Sequence, residues 1–150
     1  MRSWKISCLM ASVVLLMTLP RFAFGQSKTV TIRLLNGKNG KPMEHERLLI
    51  FFGSSPQDVR FHKGSIDLHT DSKGEAILPL NEPTFLYFQA FVDFKTLCQK
   101  NPNDLSFAVA DILRDGEQTP NICGKVAMPK TPGTFFIYAR PATLKEKMAW

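Results

Sequence analysis

The chain has 150 residues, a formal charge of +6 and 44% hydrophobic residues, which suits one domain burying roughly two thirds of its unfolded surface. No run of Lys and Arg alternates with aromatics along a helix, which argues against nucleic-acid binding. No internal repeat, low-complexity linker or second apolar span divides it.

Residues 1–25 read as a signal peptide. Arg2 and Lys5 form a positive head, Ile6 to Leu19 is mostly apolar, and Pro20 breaks the run. Ala23-Phe24-Gly25 then places small residues three and one positions before Gln26, as a signal peptidase requires. The run is shorter than the ~20 residues that span a bilayer, and it contains Ser7, Cys8, Ser12 and Thr18. The expectation is an exported chain, periplasmic or extracellular, that starts at Gln26 and keeps no stable membrane span. Cleavage removes Arg2, Lys5 and Arg21 and no acid, so +6 becomes +3. It also removes Cys8, leaving Cys98 and Cys123. Two cysteines in an oxidising compartment are expected to pair, and closing that loop contributes on the order of 3 kcal/mol. A nucleophilic or metal-bound Cys would want a nearby His, and neither position has one in sequence.

From Gln26 to Pro141 the pattern is that of short strands. Val30, Ile32 and Leu34 alternate with polar neighbours, predicting a first strand. Asn36-Gly37-Lys38-Asn39-Gly40-Lys41-Pro42 is turn chemistry, with no following helix to make it a phosphate loop. Arg47 to Phe52 is a continuous apolar run, predicting a strand buried on both faces and ended by Gly53-Ser54-Ser55-Pro56. Gln57 to Gly64 reads as a polar connection.

The next stretch organises the rest. Ile66, Leu68 and Thr70 recur at period two, as do Ala76, Leu78 and Leu80, and Asp71-Ser72-Lys73-Gly74 separates the two runs. Asp71 and Ser72 can bond the backbone just ahead, and Gly74 accepts a left-handed conformation, which predicts a hairpin. After the Asn81-Glu82-Pro83-Thr84 turn, Phe85 to Val92 is the most apolar strand. Leu86, Phe88, Ala90 and Val92 would share one face, and Phe85, Tyr87, Gln89 and Phe91 the other. That second row is either a packed face covered by a loop or the tail, or an aromatic surface for sugar or protein. Packing is the commoner use.

Asp93 to Ser106 has no clear period, and Asn101-Pro102-Asn103-Asp104 looks like a turn. Phe107 to Leu113 fits a strand, and Val109 to Arg114 also fits a turn and a half of helix, with Gly116 as the stop. Thr134 to Arg140 is the last strand. Leu144 and Met148 stand four apart beside Lys145, Glu146 and Lys147, so 142–150 is expected to form a short amphipathic tail. Its plain role is packing on the domain. One or two turns bury too little to hold a lipid surface alone.

These elements point to an all-β, antiparallel sandwich. Thr70-Asp71-Ser72-Lys73-Gly74-Glu75-Ala76 resembles the Thr-Asp-x-x-Gly pattern of carboxypeptidase-regulatory-like, transthyretin-like domains. Asn39-Gly40-Lys41-Pro42 resembles their Gly-Lys-Pro turn after the first strand. The segment with Asp111-Ile112-Leu113, Asn121-Ile122-Cys123-Gly124, Pro132-Gly133 and Arg140-Pro141 is similar to small exported proteins of environmental bacteria that carry this domain. The resemblance implies about seven strands in a Greek-key sandwich, used mostly as a structural or binding appendage.

Catalytic and metal motifs are not apparent. His45, His62 and His69, even grouped with Glu44, Asp67 or Asp71, lack the close spacing of a zinc site. Asp71-Ser72-Lys73-Gly74 puts a Lys where a calcium ligand would stand. No Gly-x-Ser-x-Gly elbow occurs. Transthyretin-like folds include a purine-pathway hydrolase ending in Tyr-Arg-Gly-Ser, whereas this chain has Lys145-Glu146-Lys147-Met148-Ala149-Trp150. The expectation is a non-enzymatic module without cofactor or metal, acting on an envelope protein or a glycan. The alternative is a carbohydrate-binding module using the Phe85, Tyr87, Gln89, Phe91 face.

Overall fold

The computed structural model describes residues 29–101 and 105–148. The signal segment, Cys8, Gln26, the centre of the Asn101–Asp104 turn and Trp150 lie outside the described residues. The chain folds into two sheets. In the first, β4 (Glu75–Pro79), β1 (Thr29–Asn36), β9 (Thr134–Pro141) and β6 (Lys95–Leu97) lie in that order, and β8 (Glu117–Gln118) also pairs with β9. The second runs β3 (Gly64–His69), β2 (Arg47–Gly53), β5 (Tyr87–Val92) and β7 (Phe107–Ala108). Short helices α1 (Pro56–Arg60), α2 (Val109–Asp115) and α3 (Leu144–Lys147) complete it.

The core is what the alternation demands. Val30, Ile32 and Leu34 of β1, with Phe135 and Ile137 of β9, meet Leu48 and Ile50 of β2 and Phe88 of β5, all fully buried. Phe88 stands 5.1 Å from Phe135 at 82°, an edge contact across the two sheets. β2 is central in its sheet, yet its two faces differ. Leu48 and Ile50 are buried, whereas Leu49 and Phe51 are half-buried on the outer side.

Three expectations need correction. First, the sheets are not wholly antiparallel: β9 pairs in parallel with β1 and with β8. β1 and β9 are too far apart in sequence for any local turn to announce their pairing. Nine strands form among the described residues where about seven were expected, and β7 and β8, at two residues each, are too short to show alternation. Second, β3 and β4 do not form a hairpin. β3 pairs with β2 and β4 with β1, so the Asp71–Gly74 turn is an arch between sheets. Period two reports which face is buried and is silent on the pairing partner. Third, the polar connection after β2 holds α1, whose Ser55 cap accepts from the Asp58 N–H at 3.2 Å ahead of Pro56. Around residue 107 both readings are realised in succession, β7 and then α2, which stops at Gly116 with φ +75°.

The turn chemistry holds within the arch. Asp71 Oδ1 accepts from the Lys73 and Glu75 N–H groups at 2.8 and 2.9 Å. Gly74 adopts φ +71°, and its carbonyl accepts from Leu34 N–H, which ties the arch to β1. Thr70, 2% exposed, donates its hydroxyl to Met43 O and accepts from Glu46 N–H. The backbone donors at Glu75 and Lys73 hold the Asp71 carboxyl below the usual carboxylate range. A depressed folded pKa means that this support is present above the unfolded pKa of about 4 and is lost as pH falls through the folded value. We expect Asp71→Ala to lower the melting temperature by a few degrees at neutral pH, and Asp71→Asn, which keeps the oxygen, to lower it less. Thermal melts across pH check this, and the deficit of Asp71→Ala should shrink in acid.

Candidate functional site

Each sheet has a covered outer face. On the first, Leu35, Phe136 and Tyr138 point away from the core and are nonetheless buried, together with Cys98. The segment after β8 lies over them, contributing Cys123, Val126 and Met128. Cys98 and Cys123 are joined by a disulfide, with Sγ–Sγ 2.11 Å and Cα–Cα 5.3 Å. The bridge therefore ties the end of β6 to this cover. Cys123 sits in the irregular stretch between β8 and β9.

Hydrogen bonds repeat the tie. Ile122 N–H donates to Cys98 O at 2.8 Å, and Cys98 N–H donates to Tyr138 O at 2.8 Å. Asn121 uses its whole side chain: Nδ2 donates to Gly37 O and Val126 O, both at 2.8 Å, and Oδ1 accepts from Cys123 N–H at 3.1 Å. Tyr138 hydroxyl donates to Gln118 Oε1 at 2.9 Å and accepts from Met128 N–H at 2.8 Å. Gly37 sits so close beneath that a Cβ would lie 2.6 Å from both Cys98 Sγ and Asn121 Oδ1. The cover leaves an open cleft of about 380 Å³ beside Gln118, Asn121, Lys125, Lys130 and Tyr138. Its polar groups are largely engaged with one another, including Glu117 with Lys130 at 2.8 Å.

The second sheet carries the predicted aromatic row. Tyr87, Gln89 and Phe91 do share its outer face; Phe85 does not. Phe85 is 5% exposed and turns into the core, stacked 4.4 Å from Phe52. Its N–H bonds Glu82 O, so it belongs to the preceding turn, and the alternation starts only at Tyr87. Leu86, expected inside, is consequently exposed. The row is not a bare platform. Gln89 is buried, and Tyr87 and Phe91 are half-buried. The segment from α1 to His62 folds over this face: a Cβ on Gly53 would strike Asp58, and the His62 ring stacks on Phe51 at 3.7 Å and 11°. Phe51 in turn meets Phe91 edge-on at 5.7 Å. Phe51 and His62 are the members that sequence reading missed. Phe51 lay within an unbroken apolar run, and His62 reaches it only because its backbone takes φ 53°.

At the far edge of this face Arg47 donates to Asp67 at 2.7 Å and to Asp93 at 2.9 Å, joining β2 to β3 and to the turn after β5. His69 lies opposite Arg47 on β3, and His45 donates its N–H to Thr70 O. Among the described residues no group of three or more His, Cys, Asp or Glu is placed to hold a metal ion, and no helix is long and apolar enough to cross a membrane. Comparison with protein-family models, curated proteins and solved structures finds no match to the chain.

Proposed function

We propose that this chain is an exported, non-enzymatic β-sandwich of Greek-key, transthyretin-like type, with a structural or protein-interaction role in the cell envelope. The observation that carries this reading is the disulfide-anchored cover. A Cys98–Cys123 bridge persists where the compartment is oxidising, which supports export. The covering segment spends Asn121, Cys123 and the Met128 N–H on holding the sandwich together, the last through Tyr138 of β9, as a scaffold would. The Thr70–Asp71–Gly74 arch supports the family resemblance, since each of those residues has a structural task there.

Fractionation of native cells with peptide mapping under non-reducing conditions tests it. The expected result is a chain beginning at Gln26, outside the cytoplasm, with a Cys98–Cys123 cross-linked peptide. A cytoplasmic protein with an intact N-terminus and two free thiols would overturn the reading. The second reading, glycan binding, draws support from the Phe51–His62 stack beside Tyr87 and Phe91. It predicts signal on a glycan array that Phe91→Ala abolishes; a blank array counts against it.

A further inference from the structure

One end of the first sheet combines apolar exposure with unpaired positive charge. The strand order β4-β1-β9-β6 sets the order of the connections there. β4 starts from the Asp71–Gly74 turn, β1 runs out into residues 37–46, β9 runs out into α3, and β6 starts from the Asp93-Phe94 turn. With strands about 4.8 Å apart, these four connections share a rim on the order of 15 Å long.

The three most exposed large apolar side chains among the described residues all lie on this rim: Phe94 at 80%, Leu144 at 75% and Met148 at 73%. They come from two separate elements held side by side. Lys95, next to Phe94, pairs with Pro141, three residues before Leu144. α3 is fixed by its Thr143–Glu146 capping box and by Arg140 against Glu146 at 2.6 Å. With that fixation Leu144 and Met148, the apolar pair expected to pack on the domain, are exposed. Phe94 also occupies φ 52°, uncommon for a bulky residue, so the turn accepts strain while displaying a solvent-facing ring.

The charges at this rim are unbalanced. Lys38, Lys41, Lys73 and Lys145 are exposed and enter no ion pair among the described residues. Three nearby acids are matched by cations: Glu46 by Lys95, Asp93 by Arg47 and Glu146 by Arg140. Asp71, bonded by backbone N–H groups of its own turn, and Glu44 keep their charge, two acids against four lysines.

We infer that this rim docks the protein reversibly on a bilayer surface bearing anionic phospholipid. Phe94, Leu144 and Met148 enter among the headgroups while the lysines meet phosphates. Apolar contact alone would suit a protein partner equally; the lysines around it select an anionic surface. The tail by itself is too short to bind lipid, and Phe94 supplies the second insertion point that it lacks. This inference concerns a surface separate from the disulfide-anchored cover and stands or falls apart from the export reading.

Co-sedimentation of the isolated protein with vesicles tests it, using phosphatidylcholine alone and phosphatidylcholine mixed with phosphatidylglycerol. Wild type is expected to bind the mixed vesicles, to bind pure phosphatidylcholine far less, and to be released by added salt. Phe94→Ser, and Leu144→Ser with Met148→Ser, should each weaken partitioning by about tenfold. Lys73→Glu with Lys145→Glu should do so through charge. All these positions are exposed, so thermal melts should match wild type. Absence of wild-type binding to mixed vesicles, equal binding to both vesicle types, or undiminished binding by the apolar variants would each overturn it.

Discussion

Replacing Phe88 with alanine is expected to cost about 3–5 kcal/mol, the usual range for emptying a buried aromatic site. Phe88 is fully buried, and its ring contacts come from both sheets: Phe135 at 5.1 Å, Phe85 at 6.3 Å and Phe107 at 6.5 Å. Those neighbours are anchored on strands and a turn, so the cavity cannot collapse cheaply. A domain of this size has on the order of 5–15 kcal/mol to lose, so the variant should be marginal at physiological temperature. Urea denaturation followed by fluorescence or circular dichroism reads the midpoint. Phe88→Leu, which keeps most of the volume, should lose clearly less. Equal losses for the two variants would show that the ring contacts, rather than the cavity, carry the effect.

The second large effect belongs to the disulfide. Joining residues 25 apart restricts the unfolded chain by on the order of 3 kcal/mol, so Cys98→Ala with Cys123→Ala should destabilise by about that much. The consequence for the folded state is local. Thr119 N–H donates to Phe136 O, Ile122 N–H to Cys98 O and Met128 N–H to the Tyr138 hydroxyl. Hydrogen exchange should show these three amides losing protection first in the variant, while β1 and β2 hold theirs. An unchanged urea midpoint, with the three amides still protected, would contradict the assignment. Wild type treated with reductant should behave like the double variant.

How far the fold could be read from the chain depended on how local each task is. Thr70, Asp71 and Gly74 bond within or beside one turn, so their roles were legible, as was the pairing of two cysteines. The partner of each strand was not, because Ile66 and Leu68 alternate identically in a hairpin and in an arch. Phe85 was misplaced for a related reason: one turn residue ahead of Tyr87 shifts the phase, and nothing in Phe85-Leu86-Tyr87 marks where the strand begins. Asn121 was the largest omission at the cover. Its bond to Gly37 joins residues 84 apart, and no local pattern distinguishes it from a loop asparagine. Ser55 before Pro56, and Thr143 three residues before Glu146, were helix-start signals present in the chain and passed over.

The parallel pairing of β1 with β9 carries a temporal consequence. β9 is the last long strand to be synthesised, and it is also the hub of its sheet, flanked by β1 on one side and by β6 and β8 on the other. Until residues 134–141 emerge, β1 can pair only with β4, and Leu35 and Cys98 lack the Phe136 and Tyr138 surface on which they rest. Long-range pairings of this kind form slowly, since a long loop must close before any contact rewards it. Closure of the first sheet therefore waits for β9, although β2, β3 and β5 can already pair in the second.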